Sequence, residues 1–380
     1  MSHLPITEDR LVTWMQRFVR HPSEQTDMME ADPAVLSFVT EAVRPLLEEA
    51  GIATRIDSFG NLIAEAGPAG TEMPLLLLGY AMTHPANRMR DPFAGEHDGG
   101  AVRGRGVSEQ KSALAATLAA FISAATGGRL KRRVGFALLT AGETGRHDAV
   151  AVALDALGAT PRFGILAIGT GGKIALGNRG RLDVDVTIHG KSSHSSTPWA
   201  GVDVTKGVRI LLERAEAIGA DLPSHDALGP ATLTCTAIRT APNATHTVQS
   251  EARMMFDRRL MPGEEPETVL AGLREAFTLD APLAIEVERG PFMYGSIVDE
   301  AGPLVSSIQS ALAQAGLAER DTFYSPGSLD AGYLIVNGIE AVKWGPGDPA
   351  QFHTDEERVA VADVVDAAHG YEATILRLAG

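Results

Sequence analysis

At 380 residues the chain is too long for one simple core, and its 44% apolar and 21% charged residues are those of an ordinary globular protein with two domains. A formal charge of −15 speaks against nucleic acid or an anionic membrane surface as partner, since both need basic patches. The single cysteine, Cys235, rules out an intrachain disulfide and a cysteine zinc cluster.

The N-terminal MSHLPITEDR lacks a basic segment followed by an apolar stretch, so no signal peptide is expected. The longest apolar runs, such as Leu75 to Leu78, are far too short to cross a bilayer, and the expectation is a soluble, cytoplasmic protein. Residues 6–50 read as helices: Leu11, Trp14, Met15 and Phe18 recur at helical spacing, as do Val35, Phe38, Val39, Val43 and Leu46. Residues 51–66 read as strands around the turn Ser58-Phe59-Gly60-Asn61. Short apolar runs at 74–79, 134–139 and 163–168 are separated by helical stretches, including the Ala-rich 111–126, as in a parallel sheet buried on both faces.

The pattern changes near residue 181. Residues 182–189 alternate strictly, which predicts a strand with one wet face. A helix (203–219), a Thr-rich strand containing Cys235 (231–239), a strand (247–257), a helix (264–277) and a last strand (282–288) follow. That β-α-β-β-α-β order makes a compact α+β unit. From about 297 the chain returns to helix and buried strand. The expected fold is α/β, with a central, mostly parallel sheet flanked by helices (1–180 and 293–380) and an inserted α+β domain (181–292).

Several segments carry a resemblance when taken together. They are Gly79-Tyr80-Ala81-Met82, Asp91-Pro92-Phe93, Gly104-Arg105-Gly106-Val107-Ser108-Glu109-Gln110-Lys111, Thr140-Ala141-Gly142-Glu143 and Arg179-Gly180. Gly190 to Ser196, Asp257-Arg258-Arg259, Pro262-Gly263-Glu264, Gly345-Pro346-Gly347 and His353-Thr354-Asp355-Glu356 continue the series. In order and spacing the chain resembles the M20 family of metallopeptidases and aminoacylases, which includes acetylornithine deacetylase and succinyl-diaminopimelate desuccinylase. The resemblance implies a zinc-peptidase-like catalytic domain, an inserted dimerisation or lid domain, and two zinc ions held by His, Asp and Glu side chains. It also implies a Glu-Glu pair whose first member takes a proton from metal-bound water and whose second binds zinc.

The sequence departs from that pattern. Tyr80 stands where the first His is expected, Met82 where its orienting Asp is expected, and Ile168 at an acidic position. Glu109 replaces the bridging Asp, adding one methylene, and His353 is retained. A gapless register puts Glu143 at the general base and Thr144 at the lost second Glu; a one-residue shift makes Glu143 the ligand and Gly142 the lost base. No Asp or Glu occurs from Met73 to Arg90 or from Ala156 to Leu182, so sliding the register does not restore the missing carboxylates. The resemblance therefore implies one zinc or other divalent ion at most, on Glu109, Glu143 and His353, or none.

The implied catalytic set is Glu143, His194, Tyr80 and Glu109. By resemblance His194 reaches the active site of a partner subunit and donates to the tetrahedral oxyanion. Tyr80 is a proton donor or a ring filling an empty metal site; Met82 and Ile168 line the pocket. Arg259 binds a substrate carboxylate or is a solvated charge, and Asn243 is a rim contact or a turn residue after Pro242. Gly327 and Ser328 form a backbone anion nest or a plain loop. His84 reads as a solvated loop histidine ahead of Pro85. The expected function is hydrolysis of an amide-type bond in a small N-substituted amino acid or peptide by a homodimer joined through the inserted domain. The alternatives are a repurposed non-hydrolytic enzyme (proton transfer, elimination or cyclisation) and a non-catalytic ligand-binding protein.

Overall fold

A computed structural model of the chain describes residues 3–70, 72–141 and 146–380. It divides into two compact units: Met1–Gly177 with Ile297–Tyr324 and Tyr333–Gly380, and Asn178–Ser296 with Ser325–Gly332.

The first unit is built on a nine-stranded sheet. Its order runs Thr54–Ile56, Leu62–Ala66, Val134–Leu139, Met73–Tyr80, Pro161–Ala167, Glu340–Trp344 and Ile174–Asn178, with Ser296–Ile297 and Thr322–Ser325 beside the last. Val134–Leu139, Met73–Tyr80, Pro161–Ala167 and Glu340–Trp344 are mutually parallel, and the strands outside them run antiparallel at Leu62–Ala66 and Ile174–Asn178. The fold is thus the expected α/β arrangement. Every residue of Met73–Tyr80 and Val134–Leu139 is buried, which is why these strands read as continuous apolar runs rather than alternating ones.

The Ser112–Thr126 helix is buried on nearly all sides. Its many alanines let it lie close against the Val361–Ala379 helix and the sheet. The Glu8–Val19 helix is capped by Thr7, whose hydroxyl accepts from Arg10 N at 3.3 Å, and it buries Leu11, Trp14, Met15, Phe18 and Val19. Among the described residues no helix is long and apolar enough to cross a membrane.

The second unit carries a four-stranded antiparallel sheet in the order Thr232–Ala241, Glu251–Arg259, Arg181–His189, Ala284–Met293. Alternation along Arg181–His189 sends Leu182, Val184, Val186 and Ile188 into a core shared with the Val204–Ala220 and Pro266–Ala276 helices. The opposite face is more open, with Met255 exposed, and Ile238 is exposed on the edge strand. Cys235 lies half-buried in the Thr232–Ala241 strand, where burial pushes its thiol pKa up and away from nucleophilic character.

Candidate active site

In an open α/β sheet, ligand sites form beyond the carboxyl ends of the parallel strands, where the loops diverge. Here those ends lead into Tyr80 to His84, Thr140 onward, Ile168 to Gly172, and Gly345 to His353. Tyr80, Met82 and Ile168 are all buried. The end of Val134–Leu139 is pinned by Asn61, whose Oδ1 accepts from Thr140 N at 2.9 Å while its Nδ2 donates to Ala149 O at 2.9 Å. Glu143, Thr144 and Gly142, central to the expected base and ligand positions, lie outside the described residues.

Glu109 is positioned by a turn that the sequence shows only as a glycine-rich motif. Gly106 has φ 78°, a left-handed conformation that favours glycine, and residues Val107–Lys111 make one π-helical turn entering the Ser112–Thr126 helix. A helix start leaves backbone N–H groups without intrahelical partners. The buried Glu357 carboxylate takes them up. Its Oε2 accepts from Gly106 N at 2.9 Å and its Oε1 from Ser108 N at 3.0 Å and Glu109 N at 3.2 Å. Arg105, equally buried, donates to Glu357 Oε2 at 2.9 Å and also to Ala86 O and Thr354 O. From the other side Gly169 N donates to Glu109 O at 2.7 Å, and a Cβ on Gly347 would sit 1.6 Å from Ser108 O.

The Glu109 carboxylate, almost fully buried, meets His353 Nε2 at 3.2 Å. His353 is held in the left-handed region at φ 60°, a conformation uncommon for a residue with a side chain. His84 is not the solvated loop residue expected. Its ring stacks on that of His353 with centroids 3.9 Å apart and planes 17° from parallel, and its Nδ1 donates to Pro85 O at 3.1 Å. The structure thus brings His84, Glu109 and His353 together. Behind them Lys111 is fully buried; it donates to His21 O at 3.0 Å and lies 5.0 Å from the Phe38 ring centroid. Burial lowers its amine to about 7 despite the attraction of Glu357 and Glu24.

The remaining expected site residues belong to the second unit. His194 ends the two-residue strand Ser193–His194 and is exposed. Arg259 does not present an open fork: its guanidinium is paired with Asp257, Nη2 donating to Oδ2 at 3.0 Å and Nε lying 2.9 Å from Oδ1. Asn243 is exposed in the loop after Thr232–Ala241. Gly327 N donates to Ser325 Oγ at 3.3 Å, and the Ser328 hydroxyl donates to Arg179 O at 2.6 Å, so both are engaged within their own surroundings.

Glu357 and His84 carry more of the site than their places in the sequence indicate. The signal for Glu357 was an acidic residue four places after His353, which becomes meaningful only once the glycine turn is known to need an acceptor. Arg259 and Asp257 stand two apart in a strand, hence on one face, so their pairing was legible in principle.

Residues 83–377 match the model of peptidase family M20/M25/M40. The chain belongs to this family. Among its relatives are a LysW-lysine/LysW-ornithine hydrolase of Aeropyrum pernix, 28% identical over 351 residues (88% of this chain, 90% of that one), and the succinyl-diaminopimelate desuccinylase of Variovorax paradoxus, 26% identical over 343 residues (84% and 85%). An M20 family metallo-carboxypeptidase of Sulfolobus solfataricus shares the fold with a TM-score of 0.78 at 17% identity, covering 97% of this chain and 99% of that one. So does a Bacillus subtilis M20 protein described as a dinuclear metal-binding peptidase, with a TM-score of 0.69 at 17% identity and 98% of each chain covered.

M20 proteins hydrolyse amide or peptide bonds and generally use one or two zinc or other divalent ions. A structural zinc takes four protein donors and a catalytic one three. In this M20 chain Glu109 and His353 contribute a carboxylate and an imidazole in contact, while Tyr80, Met82 and Ile168 contribute a phenol, a thioether and an alkyl group. Among the described residues no group of three or more His, Cys, Asp or Glu side chains is arranged to hold a metal.

Proposed function

We propose that this M20-family protein hydrolyses an amide-type bond in a small N-substituted amino acid or peptide with one divalent ion at most. The observation that carries the reading is the buried Glu109 carboxylate in contact with His353 at the carboxyl ends of the parallel strands. A carboxylate held against an imidazole orients the ring, and an oriented imidazole is what proton transfer to a leaving amine requires. With no ion bound, Glu143 takes the proton from the attacking water, and His353, steadied by Glu109 and stacked on His84, returns one to the leaving amine; a single ion would instead be held by Glu109, Glu143 and His353. Tyr80 closes the space that a second ion would occupy. His194 of a second copy donates to the oxyanion, with dimerisation through the second unit. The residues of the glycine turn and Glu357 serve only to hold Glu109 in place.

The test is a panel of N-acyl and N-carbamoyl amino acids and short peptides, assayed with and without zinc, alongside elemental analysis of protein expressed with added zinc. Turnover with one ion per chain or fewer is the expected result. Silence across a broad panel overturns the hydrolytic reading, and two ions per chain overturn the metal-poor one.

A further inference from the structure

The segment between Gly190 and Val202 is a loop on a closed stem. Lys191 N donates to Val202 O at 2.9 Å and Val202 N to Lys191 O at 2.8 Å. Inside it, Ser193 and His194 pair with Val248 and Thr247. Ser195 N donates to His246 O at 2.9 Å, and Thr197 N donates back to His194 O at 2.9 Å. A Cβ on Gly201 would lie 2.6 Å from both Lys191 O and Ser193 Oγ, so the stem admits no side chain there. The peptide between these anchored groups is held in one orientation. In that orientation Ser196 N donates to His194 Nδ1 at 3.1 Å, with the Ser196 hydroxyl oxygen 2.8 Å from the same nitrogen.

A backbone N–H is always a donor, so the ring nitrogen it faces must offer a lone pair. We infer that Ser196 is a positioning residue whose backbone N–H fixes the tautomer of His194, leaving the ring proton on Nε2, where it points outward as a hydrogen-bond donor. An imidazole in open water exchanges between its two tautomers, and His194 is exposed. The bond to Nδ1 removes that freedom, because a proton on Nδ1 would confront the Ser196 N–H directly. The consequence for catalysis rests on the proposed reading of His194 as an oxyanion donor: the neutral ring arrives with its donor already in place, a form of preorganisation. The tautomer itself does not depend on that reading.

The experiment is a two-bond ¹H–¹⁵N correlation spectrum of the full-length, ¹⁵N-histidine-labelled protein at neutral pH. His225 is an internal reference, since its Nδ1 likewise accepts a backbone bond, from Ala227 N at 3.1 Å. In the wild type both rings are expected to show a single tautomer with Nδ1 unprotonated. Ser196→Ala, which keeps the N–H, leaves the His194 pattern unchanged. Ser196→Pro, which removes it, brings a second His194 tautomer into the spectrum while His225 stays as it was. A wild-type His194 protonated on Nδ1, or averaged between tautomers, overturns the inference, and so does a Ser196→Pro spectrum identical to the wild type. If Ser196→Pro does not fold, the wild-type and Ser196→Ala spectra still decide. Because no substrate is needed, a protein inactive on every amide tried still answers the question.

Discussion

Replacing Glu357 by glutamine changes one oxygen to an amide nitrogen at the point where the whole active-site turn is held. The carboxylate accepts from Arg105 Nη1, Gly106 N, Ser108 N and Glu109 N, and both members of the ion pair have fully buried side chains. The glutamine oxygen retains one pair of these bonds; its NH₂ faces donors on the other side. Arg105 keeps its bonds to Ala86 O and Thr354 O but carries an uncompensated charge at 0% exposure. Removing one partner of a buried pair costs about 3–5 kcal/mol. That is a large share of the roughly 5–15 kcal/mol by which a protein is stable. Urea unfolding followed by tryptophan fluorescence measures it. In a Trp199→Phe background the two remaining tryptophans, Trp14 and Trp344, both belong to the first unit, so the transition reports that unit alone. Adding Arg105→Met to Glu357→Gln recovers part of the loss, because the buried guanidinium left without its partner is removed. A Glu357→Gln midpoint equivalent to less than about 1 kcal/mol of destabilisation refutes the clamp.

Gly347→Ala places a methyl carbon 1.6 Å from Ser108 O and forces the Glu109 turn to move; a loss of more than about 3 kcal/mol is expected in the same unfolding assay, and a change within experimental error contradicts the packing. Lys111 holds its proton to about 7 in the folded chain against 10.5 in the unfolded one. The folded state therefore carries the full penalty below pH 7 and sheds it as pH rises from 7 to 10.5, an amplitude of about 5 kcal/mol at most. Lys111→Met removes that slope, so its stability advantage over the wild type shrinks toward pH 10; parallel stability curves from pH 6 to 10 exclude it. His194→Ala lowers kcat by on the order of 10² to 10³ on any substrate the wild type turns over, with little change in thermal stability; unchanged kcat removes His194 from the proposed mechanism.

Local patterning is enough to read the fold class and the long helices and buried strands, though the expected strand 247–257 is split between Thr247–Val248 and Glu251–Arg259. Period-two alternation in 182–188, helical spacing from Leu11 to Phe18, and apolar runs such as Leu75 to Leu78 are local properties, and burial of those faces leaves little choice of element. The family motifs were legible for the same reason, since each is contiguous. Tertiary structure alone decided what those motifs touch. Glu109 and His353 are 244 residues apart, and their contact follows from four parallel strands delivering their loops to one edge. Glu357 matters because a glycine turn 251 residues earlier leaves N–H groups without partners, and Arg259 is committed to Asp257 rather than open. His84 gained a role only by lying flat on His353. Propensity and patterning act over a few neighbours, whereas satisfying a buried donor or pairing a buried charge depends on which distant residue the fold brings within about 3 Å.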